Sequence, residues 1–163
     1  MTADLAGLLA TAFSAEPGMT WLCGTRKRPW FAATLRLPVD RVLVPGAAAL
    51  ITPPGSRIPP LTQARWAASV LAGCGPRAVR RTLGYLARTE PLKPAGASVL
   101  EFVGVLPEDR GRGLARQLIT AIPGPLFLTT ADPANIPLYT KLGFTVTETV
   151  RIGPLTVTAM LRE

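Results

Sequence analysis

Between Ser98 and Val105 the chain reads SVLEFVGV, apolar at nearly every position. A strand with one wet face alternates apolar and polar residues, so an unbroken run of this kind asks for cover on both faces. It predicts a central strand inside a mixed α/β core. The residues that follow are patterned as regularly. A Gly-rich turn leads to a helix over 112–122, on the spacing of Leu114, Leu118 and Ile122, and then to a strand at LFLTT, 126–130. A short helix ends at Leu142, and the stretch GFTVTETVRIGPLTVTAMLR reads as two strands joined near Gly153 and Pro154.

The first half predicts more helix. Asp4 to Phe13 fits a short amphipathic helix, ended by a turn at EPG, 16–18, and PWFAATLRL fits a second with Pro29 in its first turn. RVLVP and AAALIT read as a strand pair around Pro45 and Gly46, and PPGSRIPP as a rigid loop. Helices over 62–72 and 76–88 are separated by GCGP. In the second of these, Val79, Leu83 and Leu86 form an apolar stripe opposite Arg77, Arg80, Arg81 and Arg88, which read as a solvated face. With no internal repeat or long linker, and with 48% hydrophobic against 17% charged residues, the 163 residues predict one globular domain over 1–163.

Histidine is absent, which removes Ser-His and Cys-His catalysis, and Cys23 and Cys74 stand in no metal-like spacing, so no metal is expected. The apolar stretch LAGLLATAFSA precedes the first cation, Arg26, and is too short to span a bilayer; residues 42–56 are uncharged but broken by proline and glycine. The expectation is a cytoplasmic protein with reduced thiols and no membrane partner. A net charge of +8 favours something anionic. Nucleic acid is not expected, because the aromatic residues are few and not interleaved with the basic runs.

The loop LPEDRGRGLARQLI, 106–119, narrows the choice. Gly111 and Gly113 sit at a strand-to-helix turn, where free N–H groups and the helix dipole favour an anion, and Arg110, Arg112 and Arg116 add charge. A Walker A loop would need Lys followed by Ser or Thr, which are missing. A dinucleotide fingerprint would need a third glycine where Arg116 stands and more than the one βαβ unit present, although Asp132 does lie about 20 residues on. What fits is Arg-x-x-Gly-x-Ala at Arg110, Gly113 and Ala115, preceded by VGVLPED and followed by NIPLYTKLGF. This combination resembles the GNAT acetyltransferase superfamily over about residues 97–150. AALITPPG and AFSAEP, further upstream, resemble stretches of one bacterial branch of it.

The resemblance implies a GNAT-like fold: a central mixed, mostly antiparallel sheet flanked by helices, with a splayed strand pair that holds acetyl-CoA as co-substrate. Backbone groups of Arg110, Gly111, Arg112, Gly113, Leu114 and Ala115 would wrap the pyrophosphate. Those of Val103, Gly104 and Val105 would bind the pantetheine, with a bulge suited to Gly104 and the Val105 N–H facing the thioester oxygen. Tyr139, the tyrosine of LYTKLGF, would be the acid for the leaving thiolate. Asn135 suits the N-cap of the helix that carries Tyr139, with Pro137 in the first turn and Gly143 past the end, and the resemblance adds a contact to the coenzyme. Asp132 departs from the commoner pattern, which has Asn there.

Glu101 is the one charge in SVLEFVGV. A buried carboxylate has a raised pKa and can serve an amine as base; pairing to an arginine at the strand end is the other reading. The activity implied is acetyl transfer to a primary amine by direct attack, with a small-molecule amine favoured over a protein amine and its pocket built from the N-terminal helices and the 53–75 region. A homodimer is compatible with this. A coenzyme-sensing module without catalysis is the alternative.

Overall fold

The computed structural model describes residues 4–163. Its helices begin where the sequence offers a cap or a proline. α1 (Leu5–Ala12) starts at Asp4, whose carboxylate accepts the Gly7 N–H, and α2 (Pro17–Cys23) starts at Glu16, whose carboxylate accepts the Met19 N–H at 2.6 Å. EPG therefore opens a helix that the sequence reading missed: a proline at the first helical position needs no N–H partner and arrives with its φ already set. α3 (Lys27–Thr34) closes at Leu35, earlier than expected. α4 (Pro60–Cys74) and α5 (Pro76–Thr89) both start on proline and are parted by Gly75, whose φ of +88° stops the helical run.

Six strands form one sheet in the order β1-β2-β3-β4-β6-β5. They are β1 (Asp40–Val44), β2 (Ala47–Thr52), β3 (Ser98–Val105), β4 (Leu126–Thr130), β5 (Thr145–Ile152) and β6 (Leu155–Arg162). Only β3 and β4 run parallel, linked through α6 (Leu114–Thr120); every other pair is antiparallel. α7 (Ile136–Lys141) leads from β4 into β5. The sheet is thus mixed and mostly antiparallel, with helices on both faces, as expected.

β2 separates two cores. Ala48 and Leu50 pack with Leu9, Phe31, Trp66 and Val70 of the early helices, while Ala47, Ala49 and Ile51 pack with Leu118, Ile119 and Met160 on the other side. The strand sealed on both faces is therefore AAALIT. SVLEFVGV is for the most part only half-buried, with Leu100 and Gly104 its buried residues. It departs from expectation because its far edge borders an opening instead of a neighbouring strand.

α5 also turns a different face inward. Ala78, Thr82 and Thr89 are buried, whereas Leu83 and Leu86 are 41% and 37% exposed. The threonines can go inside because their hydroxyls are satisfied, Thr82 by the Trp30 indole N–H and Thr89 by the Tyr85 carbonyl. Arg81 is not a solvated residue: its guanidinium lies 4.9 Å from the centre of the Trp21 ring and donates to the Trp21 carbonyl.

Candidate active site

β3 and β4 pair only at Ser98 with Leu126 and Val99 with Phe127. Beyond these pairs the strands part. On its other side β3 stays in register with β2 up to Val105 against Ala47, except that Ile51 faces Leu100 while Leu50 faces Phe102. Glu101 is therefore the extra residue of a β-bulge, and Gly104, expected there, is not. One added residue reverses the alternation of side chains. Leu100 joins the core of Ile51, and Phe102 joins that of Leu50. Glu101 turns the same way as Phe102, where its carboxylate accepts the Thr52 hydroxyl at 2.7 Å.

Gly104 has another reason to be glycine. A Cβ there would lie 3.0 Å from the Ala12 Cβ and 3.1 Å from Leu9 Cδ2, so its absence lets α1 rest on β3. The Leu106 N–H donates to the Gly46 carbonyl, and ladder bonds alternate along an antiparallel pair. Gly104 and Phe102 accordingly direct their backbone groups to β2, and Val103 and Val105 direct theirs into the gap beside β4.

The loop after β3 is tied down by its own arginines. Arg110 donates to the Ala12 carbonyl at 2.9 Å, at the end of α1, and Arg112 pairs with Asp109. Gly113, at φ +78° and ψ 11°, starts α6 from the left-handed region. From Gly111 to Arg116 no backbone N–H has an acceptor among the described residues; Gln117 is the first, closing on Gly113 at 3.0 Å. Leu114 and Ala115 open the helix, so their N–H groups belong to this run.

A cavity of about 720 Å³ occupies the gap and extends beneath the early helices. Glu101, Val103, Asn135 and Tyr139 all line it, so the structure brings these candidates together. Burial pushes the Glu101 carboxyl above the ordinary glutamate range, against the downward pull of Thr52 and Lys93. No arginine pairs with it among the described residues. Tyr139 is 8% exposed, and burial, followed by the charges of Glu16 and Asp132, pushes its hydroxyl up to about 12. Its ring meets Phe144 at 5.7 Å, yet its hydroxyl has no hydrogen-bond partner among the described residues.

Asn135 stands at the N-cap of α7 but makes no capping bond. The cap is Asp132, whose carboxylate accepts the Ala134 N–H at 3.0 Å and starts a 3-10 turn, Pro133–Asn135, that runs into the helix. This explains an acid where the commoner pattern has Asn, and it leaves the Asn135 amide free beside the cavity. Among the described residues no group of three or more His, Cys, Asp or Glu could hold a metal ion, and no helix is long and apolar enough to cross a membrane.

No protein-family model matches the chain. Solved structures do. One is a histone acetyltransferase HPA2 and related acetyltransferase from Corynebacterium glutamicum, 17% identical, covering 99% of this chain and 92% of that one at a TM-score of 0.64. A polyamine N-acetyltransferase from Drosophila melanogaster, described as catalysing the formation of N-acetylagmatine, is 17% identical over 97% of this chain and 92% of its own, at 0.60. A protein assigned as a GNAT-family acetyltransferase, from Desulfovibrio desulfuricans, is 11% identical over 99% and 93%, at 0.55. The chain has the GNAT fold.

Within the GNAT fold of this chain, two contributors escaped the sequence reading. Tyr85 of α5 reaches across to β4, its hydroxyl 2.9 Å from that of Thr129, and burial pushes its pKa up to about 12. Phe102 meets Phe13, Trp30 and Phe31 at 5.1–5.7 Å between ring centres. A lone tyrosine in an Arg-rich helix and a phenylalanine in an apolar strand carry no local signal of such contacts.

Proposed function

We propose that the protein is an acetyl-CoA-dependent N-acetyltransferase, built as one catalytic domain over residues 1–163, that acts on a primary amine by direct attack. The observation that carries this reading is the parting of β3 from β4, with Glu101 and Tyr139 on one cavity and unpaired backbone groups at its edge. These groups fit the coenzyme chemically. Val103 and Val105 offer amide groups to a pantetheine arm, and the N–H run from Gly111 to Arg116 offers donors to a pyrophosphate. Asn135 adds a polar group at the cavity, and the exposed Arg110, Arg112 and Arg116 add positive charge around the loop.

Acetyl-CoA supplies the acetyl group as a thioester. Glu101, ionised above its raised pKa, takes a proton from the attacking amine as the C–N bond forms. Tyr139 keeps its proton at neutral pH and donates a hydrogen bond to the sulfur as the C–S bond breaks. Because its pKa lies well above that of an ordinary thiol, about 8.5, this hydrogen bond and not an early full transfer is its contribution in the transition state. The Val105 N–H, directed into the gap beside β4, would donate to the thioester oxygen. No covalent intermediate on the protein is needed, consistent with a cavity that holds neither histidine nor cysteine.

Acetyl-CoA should bind in the micromolar range, about −8 kcal/mol, and at a hundredfold excess over Kd stabilise the fold by about 2.7 kcal/mol. Thermal unfolding with and without coenzyme checks this. Gly113→Val should remove the shift while the protein stays folded, because a β-branched residue cannot hold the left-handed backbone that aims the loop. No stabilisation of the wild type would end the proposal; stabilisation without turnover of any amine would leave an acyl-CoA-binding module.

A further inference from the structure

The bulge that turns Glu101 away from the core of Leu100 also gives it a neighbour. Thr52 stands two residues after Leu50 on β2, so its side chain shares the face of Leu50 and Phe102, to which Glu101 turns. Glu101 Oε1 accepts the Thr52 hydroxyl at 2.7 Å, and the hydroxyl must be the donor, because an ionised carboxylate has no proton to give. No other group among the described residues bonds to this carboxylate. Oε2 is thus without a partner, yet among the described residues no fully enclosed side-chain nitrogen or oxygen lacks one. Oε2 therefore keeps an open side, on the cavity that Glu101 lines. The other charged and titratable groups nearby are engaged elsewhere. Lys93, in the turn after α5, is paired with Glu90 at 2.6 Å, Glu16 of α2 caps its own helix, and the Tyr85 hydroxyl of α5 lies 2.9 Å from that of Thr129 on β4. Arg57, after β2, and Tyr139, of α7, line the cavity without a bond to Glu101.

Resting on the acetyltransferase reading, we propose that Thr52 is a positioning residue: its hydroxyl tethers one oxygen of Glu101 and leaves the other free, on the cavity side, to receive the proton of the attacking amine. As the C–N bond forms, the N–H proton passes to Oε2 and its electron pair stays on nitrogen, while the C–S pair leaves with the thiolate. The tether acts in two ways. It fixes the aim of a side chain whose last torsion has no sharp preference of its own, and a proton moves well only between atoms held within hydrogen-bond reach. It also favours the ionised carboxylate, the form that can act as base, against the burial that disfavours it. Lys93 pulls the same way but is opposed by Glu90, so the hydroxyl is the contact that keeps the base ready. Thr52 faces Val99, at the far end of the ladder from Ala47 and Val105, which keeps the tether remote from the backbone groups offered to the coenzyme.

The test is Thr52→Val, which keeps the branched shape that suits the strand and removes only the donor, with Thr52→Ser to return the hydroxyl. Thr52→Ala, which adds no bulk, is the second variant should the valine disturb the fold. Carbon NMR of protein labelled in its glutamate side chains follows the Glu101 carboxyl through a pH titration without coenzyme or amine, its signal being the one missing from Glu101→Gln. In Thr52→Val it should titrate about one pH unit higher than in the wild type, about a tenfold change in its ionisation constant, and in Thr52→Ser at the wild-type position. The acid limb of kcat/KM, for whichever amine the wild type acetylates, should move up by the same amount. Above that limb kcat should fall about tenfold, with KM for acetyl-CoA unchanged. A carboxyl that titrates alike in the wild type and Thr52→Val, or a Thr52→Ser as impaired as Thr52→Val, would overturn the proposal and leave the acetyltransferase reading standing. A shifted carboxyl with an unshifted limb would overturn it by removing Glu101 from the role of base. No acetylated product from any amine with the wild type would overturn both.

Discussion

Ala47 to Ile51 of β2 and Leu100 to Val105 of β3 run side by side across one antiparallel ladder, and both are almost wholly apolar. β2 is closed on both faces by protein, with small alanines that let helices approach from either side. β3 has the same neighbour on one edge and an open cavity on the other. The difference teaches that apolar residues report where water is excluded in the working molecule and not what excludes it. In β2 it is the rest of the chain. In β3 part of the edge is left open to the cavity.

Truncation is the harshest way to break this comparison. Leu50→Ala, inside the sealed strand, should cost about 2–5 kcal/mol of stability, as cavities in closed cores do. The matching Val103→Ala on β3 should cost about 1 kcal/mol, because its side chain is only partly buried against the second core and borders the cavity. Denaturant melts of the two variants check the contrast, and equal losses would break it.

Tyr139→Phe tests the open side in the next largest effect. The ring and its packing on Phe144 remain, so acetyl-CoA binding should stay within a few-fold. The single-turnover rate should fall by about 10²-fold, since only the donor to the departing sulfur is gone. An unchanged rate with chemistry limiting would return the tyrosine to the core.

Glu101→Gln should lower the rate less steeply at high pH, where more of the amine is already neutral. In the wild type, kcat/KM should decline on the acid side through a pKa above the ordinary glutamate range, and the variant should lose that limb. Stability should move the other way. A carboxyl with a raised folded pKa favours the fold fully below about pH 4.3, and that contribution is lost as pH rises through the folded value. The variant should therefore be the more stable protein at pH 7 and lose that advantage below about pH 4. A wild type that gains stability from pH 4 to 7 relative to the variant would contradict burial of the charge.

Gly104→Ala gives the smallest effect and the finest distinction. The added methyl meets Ala12 and Leu9, so stability should fall by about 1 kcal/mol as α1 shifts. Because its N–H and C=O are directed to β2, acetyl-CoA affinity should hardly change, whereas a large loss of affinity would place the bulge back at this glycine.

The signals that were legible in the chain are short-ranged. SVLEFVGV, LFLTT and the Gly-rich turn fix their elements through period, propensity and left-handed glycines, and the paired motifs around Arg110 and Tyr139 pointed to the fold before any packing was known. A proline after a glutamate was misread at 16–18 because a turn and a helix start share the same first residues, and only the Met19 N–H decides between them.

What the sequence by itself determined, then, is where strands and helices lie, that the interior is dry, and that a loop of free N–H groups follows the central strand. Tertiary structure alone decided that Glu101 is the bulged residue, because the register of β2 with β3 depends on Leu100 and Phe102 being drawn into opposite cores. It also decided which face of α5 is buried, because Trp30 needs an acceptor and Thr82 is the one within reach. Both choices rest on contacts between residues about 50 positions apart. Such pairings compete for the same partners, and no local pattern can say which of them wins.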